Sequence, residues 1–322
     1  AVQELAHGAF NKDAVREVFA QLMTISRRYQ YGLLAEHGKF GTTGFTEVEE
    51  IKKDGVRVVF QGVEGAYSHA AARKFFGPET AVYHVPEFED TMREVESGRA
   101  DYAVLPIENS TAGFVINNYD LLSKYSNYIV GEVYVPVEHV LLGCPDAKLS
   151  DIKTVYSHPQ ALMQCSDYLN ARKDWSQISV LNTAAAAKKV MEEKDKSQAA
   201  IASHTAGELY GLKELACGIN NAKGNTTRFL VLANRPVYGK HASKISVTFE
   251  IPHISGSLYN ILGNFIFNGV NMVMIESRPI PEKTFEYRFF VDIEGNLSDA
   301  SVQNALNGLK EEASFMRILG NY

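Results

Sequence analysis

Short apolar runs alternate with amphipathic stretches from residue 56 to about residue 235, and beyond residue 243 a second rhythm takes over. Val56-Arg57-Val58-Val59-Phe60, Tyr102-Ala103-Val104-Leu105, Thr154-Val155-Tyr156, Ala199-Ala200-Ile201-Ala202 and Phe229-Leu230-Val231-Leu232 are apolar blocks bounded by turn residues, and they predict buried strands. A longer strand is expected over 129–135, and helical spacing marks 70–76, 89–97 and the stretch from 183. Strands that alternate with helices predict an α/β region. Past residue 243 the order is strand 244–251, helix 257–267, strand 270–279, strand 286–293, helix 299–313 and strand 315–320. Val247, Phe249 and Ile251 alternate, as do Tyr287, Phe289 and Val291, which predicts a ferredoxin-like βαββαβ sheet with one face under helices. At the other end a helix opens near Asp13, with Val15, Val18, Phe19, Leu22, Ile25 and Tyr29 at helical spacing. A lone amphipathic helix must lay its stripe on another element or a second chain. Between residues 40 and 55 periodicity is lost, as in a linker.

Composition excludes more than it selects. A chain of 322 residues exceeds one ordinary core, so two or three domains are expected. Lys and Arg number 32 against 38 Asp and Glu, a formal charge of -6 with no basic block, which excludes nucleic acid and anionic membranes as expected partners. No apolar run nears the ~20 residues of a membrane span, and the first residues lack a basic-then-apolar secretion signal. Cys144, Cys165 and Cys217 are odd in number, far apart and never in a Cys-x-x-Cys pair. That usage fits a reducing, cytoplasmic setting and argues against a disulfide framework or a zinc site.

Polar side chains gather where strands end. Four clusters do so: 108–113, 157–160, 182–183 and 225–228. Ser110, Thr111 and Thr183 read either as helix caps or as anion-binding groups. The turn Gly62-Val63-Glu64-Gly65-Ala66-Tyr67-Ser68 could cradle an anion, but it lacks the third glycine of a dinucleotide fingerprint. His158 is the evident titrating base, and no nucleophile–base–acid set or metal-ligand cluster stands out. This inventory suits the binding of an anionic organic acid in a cleft between two lobes.

In this order, Glu108-Asn109-Ser110, Asn118-Tyr119-Asp120, Ser157-His158-Pro159-Gln160 and Asn225-x-Thr227-Arg228-Phe229 resemble the motif set of the prephenate dehydratases. The resemblance implies a two-lobed, periplasmic-binding-protein-like α/β region. Its expected reaction, in phenylalanine biosynthesis, turns prephenate into phenylpyruvate with loss of water and carbon dioxide and with no metal or organic cofactor. It also implies that Thr227 donates to the leaving hydroxyl, that Arg228 pairs with a carboxylate or holds the loop, and that Glu108 tunes the network. Asn109, Ser110, Thr111, Gln160 and Thr183 would orient the substrate, with Ser157, His158, Asn225 and Phe229 as further contacts. Arogenate dehydratase and a non-catalytic small-acid binder are the alternatives.

Two further stretches carry resemblances. His253-Ile254-Ser255-Gly256-Ser257-Leu258-Tyr259 and Glu276-Ser277-Arg278-Pro279 are similar to the effector loop and the Glu-Ser-Arg-Pro motif of ACT domains attached to that family. Ser255 and Ser257 stand where proline and alanine are usual. The resemblance implies feedback inhibition by phenylalanine bound at Gly256, Ser257, Leu258, Tyr259, Glu276, Ser277, Arg278 and Pro279, and a homodimer or tetramer through ACT domains. The helix opening near Asp13 resembles the last helix of the all-helical chorismate mutases, with Ser26 and Gln30, four apart on one face, at substrate-contacting positions and residues 1–10 like the tail of the preceding helix. Arg16, Arg27 and Arg28 do not replace the paired cations that a dicarboxylate needs, so no mutase activity is expected. The expected division is a mutase remnant at 1–40, a linker at 41–55, the catalytic region at 56–235 and the ACT domain at 243–322.

Overall fold

In chain order the elements are α1 (Ala9–Glu36), β1 (Thr46–Val48), β2 (Arg57–Gln61), α2 (Tyr67–Phe76), β3 (Ala81–Val85), α3 (Phe88–Glu96), β4 (Tyr102–Asn109), β5 (Gly113–Phe114) and α4 (Ile116–Lys124). Next come β6 (Tyr128–Pro136), β7 (His139–Gly143), β8 (Thr154–Ser157), α5 (Pro159–Gln164), α6 (Ser166–Asn170), β9 (Ser176–Ser179) and α7 (Thr183–Glu193). β10 (Gln198–Ser203), α8 (His204–Tyr210), β11 (Lys213–Ala216), β12 (Thr226–Ala233) and β13 (Val237–Gly239) follow. The chain ends with β14 (Lys244–Glu250), α9 (Ser257–Ile266), β15 (Met272–Pro279), β16 (Tyr287–Glu294), α10 (Ala300–Glu312) and β17 (Phe315–Asn321). This computed structural model describes residues 8–36, 43–281 and 283–322.

Two compact units result: Glu50–Val237, and Tyr238–Tyr322 together with the residues up to Glu49. The first unit has two lobes. One is built on strands in the order β6-β12-β4-β2-β3, with β5 beside β4. β2 runs parallel to β3 and β4, while β12 is antiparallel to β4 and β6. The run Tyr102 to Ile107 is buried at every position, as befits a strand covered on both faces. The other lobe has the order β11-β7-β10-β8-β9, with β8, β9 and β10 parallel. Its core is small-residue packing: Ala184, Ala186, Ala187 and Val190 of α7 lie against Ala200 and Ala202 of β10.

The chain crosses between the lobes twice, between β6 and β7 and again just before β12. The crossings are tied to each other, since Val137 N donates to the Asn225 carbonyl at 2.8 Å. Asn220 staples the same place: its Nδ2 donates to the Val137 carbonyl (3.0 Å) and its Oδ1 accepts from His139 N (2.8 Å). Gly65 holds the turn before α2 at φ +85°. A Cβ there would lie 3.2 Å from the Ala206 backbone of the second lobe, so glycine is required for that approach.

The second unit contains β14-α9-β15-β16-α10-β17 with strand order β15-β16-β14-β17, all antiparallel, which is the ferredoxin-like arrangement. Ile261, Phe265, Val302, Leu306 and Leu309 of its helices pack on Val247, Phe249, Val291 and Ile293.

The N-terminal expectations need correction. The helix starts at Ala9 rather than Asp13 and packs against α10 of the second unit. One such contact cannot cover a whole stripe, and Val18, Phe19, Leu22, Ile25 and Tyr29 stay exposed, as do Ser26 and Gln30. The expected linker holds a strand, because β1 pairs with β13 and the Val48 carbonyl accepts from Lys240 N at 2.9 Å. Residues 1–7 and 37–42 of those expectations lie outside the described residues.

Candidate active site

The cleft between the two lobes has a volume of about 230 Å³. One wall is Gln61, Gly62, Tyr67, Ser68, Pro106, Asn109, Thr227 and Phe229, and the other is His139, His158, Gln160, Gln164, Asn182 and Thr183. Strand-end geometry puts them there. β4 and β12 are neighbours with Thr227 opposite Asn109 and Arg228 opposite Glu108. Directly opposed residues share a face, so Thr227 and Asn109 look into the cleft. Arg228 and Glu108 are turned to the other side.

A hydrogen-bond network fixes the Asn109 amide. Its Oδ1 accepts from Thr111 N (3.1 Å), Thr111 Oγ1 (2.8 Å) and Ala112 N (2.9 Å). Three donors on one oxygen settle which way the amide faces. Asn109 Nδ2 therefore donates, to Asn225 Oδ1 at 2.7 Å and to Thr227 Oγ1 at 2.9 Å. Since Thr227 Oγ1 accepts from Asn109, its own O–H proton is not spent on that contact. Ser110 braces the loop by accepting from Thr226 N (3.0 Å), and Ser110 N donates to the Thr226 carbonyl (2.9 Å). Neither Ser110 nor Thr111 caps a helix, because α4 begins only at Ile116.

From the other lobe, Gln164 Nε2 donates to Thr111 Oγ1 (3.2 Å) and Gln164 Oε1 faces His139 Nε2 (3.0 Å). His139 Nδ1 lies 3.2 Å from the Tyr67 hydroxyl. A chain of contacts thus runs from Tyr67 through His139, Gln164, Thr111 and Asn109 to Thr227, crossing the cleft twice. Burial holds the His139 imidazole below its ordinary pKa, with the Gln164 hydrogen bond a smaller opposing effect. His158 is lowered too, by burial. Its Nδ1 accepts from Gln160 N (3.2 Å) and caps α5.

Several expected contacts sit elsewhere. Ser157 is fully buried and donates to the Ile201 carbonyl at 2.6 Å, inside the second lobe. Arg228 Nε donates to Glu132 Oε2 at 2.7 Å, with side chains 7% and 19% exposed, so the guanidinium is held on the far face of the sheet. Asn225, also buried, supports Asn109 and Thr111 from behind. At α7 the cap is Asn182, whose Oδ1 accepts from Ala185 N (2.7 Å), and Thr183 is the first helical residue. Asn182 Nδ2 is buried without a hydrogen-bond partner among the described residues. His139 and Gln164 join the site without having been expected there, while Asn182 and Tyr67 lie within the expected 182–183 cluster and the 62–68 turn. Asn182 also had a local signal, an asparagine directly before a helical run.

Fold and cleft together define a two-lobed α/β protein whose site is lined by neutral donors. A family model for prephenate dehydratase matches residues 58–237. Arogenate dehydratase/prephenate dehydratase 1, chloroplastic, of Arabidopsis thaliana is 42% identical over 283 residues, spanning 83% of this chain and 72% of that protein. The bifunctional chorismate mutase/prephenate dehydratase of Neisseria gonorrhoeae is 38% identical over 266 residues, spanning 82% and 74%. Among solved structures, a prephenate dehydratase from Arthrobacter aurescens in complex with L-Phe superposes with a TM-score of 0.77 at 30% identity, covering 83% of this chain and 90% of that one. The chain belongs to the prephenate dehydratase family.

Proposed function

We propose that this protein converts prephenate to phenylpyruvate by decarboxylative dehydration, with the Thr227 hydroxyl donating to the departing oxygen. The observation that carries the reading is the direction of the Asn109–Thr227 hydrogen bond, which leaves the threonine proton free to point at a ligand. As the ring carboxylate departs as carbon dioxide, its bonding pair enters the ring. The ring becomes aromatic, and the carbon–oxygen pair leaves with the hydroxyl, which gains a proton and departs as water. A preorganised donor aimed at that oxygen stabilises the charge as it develops. The substrate's carboxylates would meet Asn182 Nδ2, Gln160, Thr183 and the first backbone N–H groups of α7, where the helix dipole favours an anion. Glu108 and Arg228 would act through the strands that carry Asn109 and Thr227.

Arogenate differs by an ammonium in place of the keto oxygen. Among the described residues lining the cleft there is no Asp or Glu to receive it, which favours prephenate. The purified protein should release phenylpyruvate from prephenate faster than it releases phenylalanine from arogenate. Absence of phenylpyruvate would reject the reading, and a reversed ratio would assign the other substrate.

The second unit supports an ACT role with phenylalanine as effector. A hollow of about 350 Å³ is lined by His253, Ile254, Gly256, Ser257, Leu258, Tyr259, Tyr287 and Phe289. Gly256 sits at φ +86°, which a side chain would strain, and precedes the first residue of α9. Glu276, Ser277, Arg278 and Pro279 lie on the edge strand β15, with Ser277 opposite Phe289 and Pro279 opposite Tyr287. Val273 and Ile275 on that edge are exposed, which suits contact with a second copy and a homodimer or tetramer. Calorimetry should detect phenylalanine binding, and no heat at millimolar phenylalanine would rule the effector site out. The three cysteines are unpaired, in keeping with a cytoplasmic protein. None of the helices among the described residues is long and apolar enough to cross a membrane. We read α1 as a mutase-derived helix without mutase activity.

A further inference from the structure

We propose that prephenate binds together with a proton, taken up by His139, whose imidazolium supplies the positive charge that the cleft otherwise lacks. This rests on the prephenate dehydratase reading. Prephenate brings two carboxylates, yet among the described residues lining the cleft there is neither Lys nor Arg. Arg228, on the strand that carries Thr227, is held by Glu132 on the opposite face. Moving a dianion out of water without a counter-charge is costly, and hydrogen-bond donors offset only part of that cost. The cleft's ionisable groups that can become cations are His139 and His158.

The two imidazoles are held differently. His158 Nδ1 accepts the Gln160 N–H at 3.2 Å, so a proton on that nitrogen would break the α5 cap. His139 is arranged for a second proton. Gln164 Nε2 donates to Thr111, so Gln164 Oε1 must face His139, and His139 Nε2 carries a hydrogen. On the other side stands Tyr67, whose hydroxyl is 3.2 Å from His139 Nδ1 and 3.0 Å from the Glu138 carbonyl. While the imidazole is neutral, one phenol proton faces two acceptors, and one contact goes unmade. When Nδ1 is protonated, it donates to the Tyr67 oxygen and the Tyr67 proton goes to the Glu138 carbonyl. All three contacts are then satisfied.

Two of the titratable groups around this pair stay uncharged. Tyr67 from α2 is driven up by burial and stays a neutral phenol, with Cys165 and Glu138 adding to that shift. Burial pushes the Cys165 thiol at the end of α5 up to about 12, so it too is uncharged. Glu138 beside β7 and His158 on the same wall of the cleft complete the set. In the empty cleft burial keeps His139 neutral near pH 7. A bound dianion raises its pKa, so binding must take up a proton, and affinity falls as pH rises.

The test uses the full chain carrying Thr227→Ala, titrated with prephenate in phosphate and in Tris at one near-neutral pH. The expected heats differ by the ionisation enthalpy of about one proton per site. Adding His139→Gln should abolish the difference and weaken binding about tenfold, the equivalent of one pKa unit. Adding His158→Gln should leave the uptake in place. With Thr227 intact, kcat/KM should fall as pH rises above the empty-site pKa of His139, with kcat flat. His139→Gln should remove that slope and act on KM. Equal heats in the two buffers, which need no His139 variant to measure, would overturn the proposal, as would uptake that survives His139→Gln. If prephenate neither binds nor turns over, the dehydratase reading fails instead.

Discussion

Thr227→Ala should lower kcat on prephenate about 10²–10³-fold with the melting temperature unchanged, the usual loss for one preorganised donor at a developing oxyanion. The structure gives a reason to expect an effect on kcat more than on KM. Asn109 already donates to Thr227 Oγ1, so the hydroxyl oxygen is held in place and its proton is available before substrate arrives. Its bond to the leaving oxygen strengthens only as the carbon–oxygen bond breaks, and such interactions raise kcat. Thr227→Ser keeps the donor and should retain most of the rate. Steady-state kinetics on the two variants decide the matter: near-normal turnover by the alanine variant would remove Thr227 from the chemistry.

Arg228→Met should unfold the protein early rather than silence it. The guanidinium and its Glu132 partner are largely buried, and removing the arginine takes away the carboxylate's cation while the Tyr134 hydroxyl still donates to it at 3.2 Å, at a cost of about 3 kcal/mol. For a unit of this size that lowers the melting temperature by about 10 °C. Below the transition, KM and kcat should change little. Removing both charges with Arg228→Met and Glu132→Leu should restore much of the stability, because the largely buried carboxylate that lost its cation is gone. The opposite pattern, a normal melt with a collapsed kcat, would show that Arg228 reaches the substrate.

Arg228 also marks the boundary of what could be read in the chain. The motif Asn225-x-Thr227-Arg228-Phe229 located the strand end, but adjacent strand residues point to opposite faces. Only the register against β4 and β6 tells which one faces the cleft. The ferredoxin-like order was legible because its strands alternate cleanly and its helices carry wide apolar faces. β9 and β11 were not, being short sheet-edge strands of mostly exposed residues with no period to detect. Asn182 was one residue from the expected cap. The contact of His139 with Tyr67 had no local signal at all, since 72 positions separate them and only tertiary folding joins them. The helix α1 was visible as a helix, but its packing on α10 was not, because its most regular stripe is the exposed one.

The paired crossings at Val137 and Asn225 have a mechanical meaning. If one lobe swings on the other, they are the rivet, and displacement grows with distance from them. Thr227 is two residues from the rivet, so its hydroxyl keeps its aim while the first turns of α5 and α7 travel outward to admit a ligand. The Gln164–Thr111 bond spans the gap and would part in such a swing. Thr227 would then keep its place throughout, while its connection to His139 would exist only with the lobes together. Reaction and charge supply would then be synchronised by closure itself, with no moving part at the reacting atom.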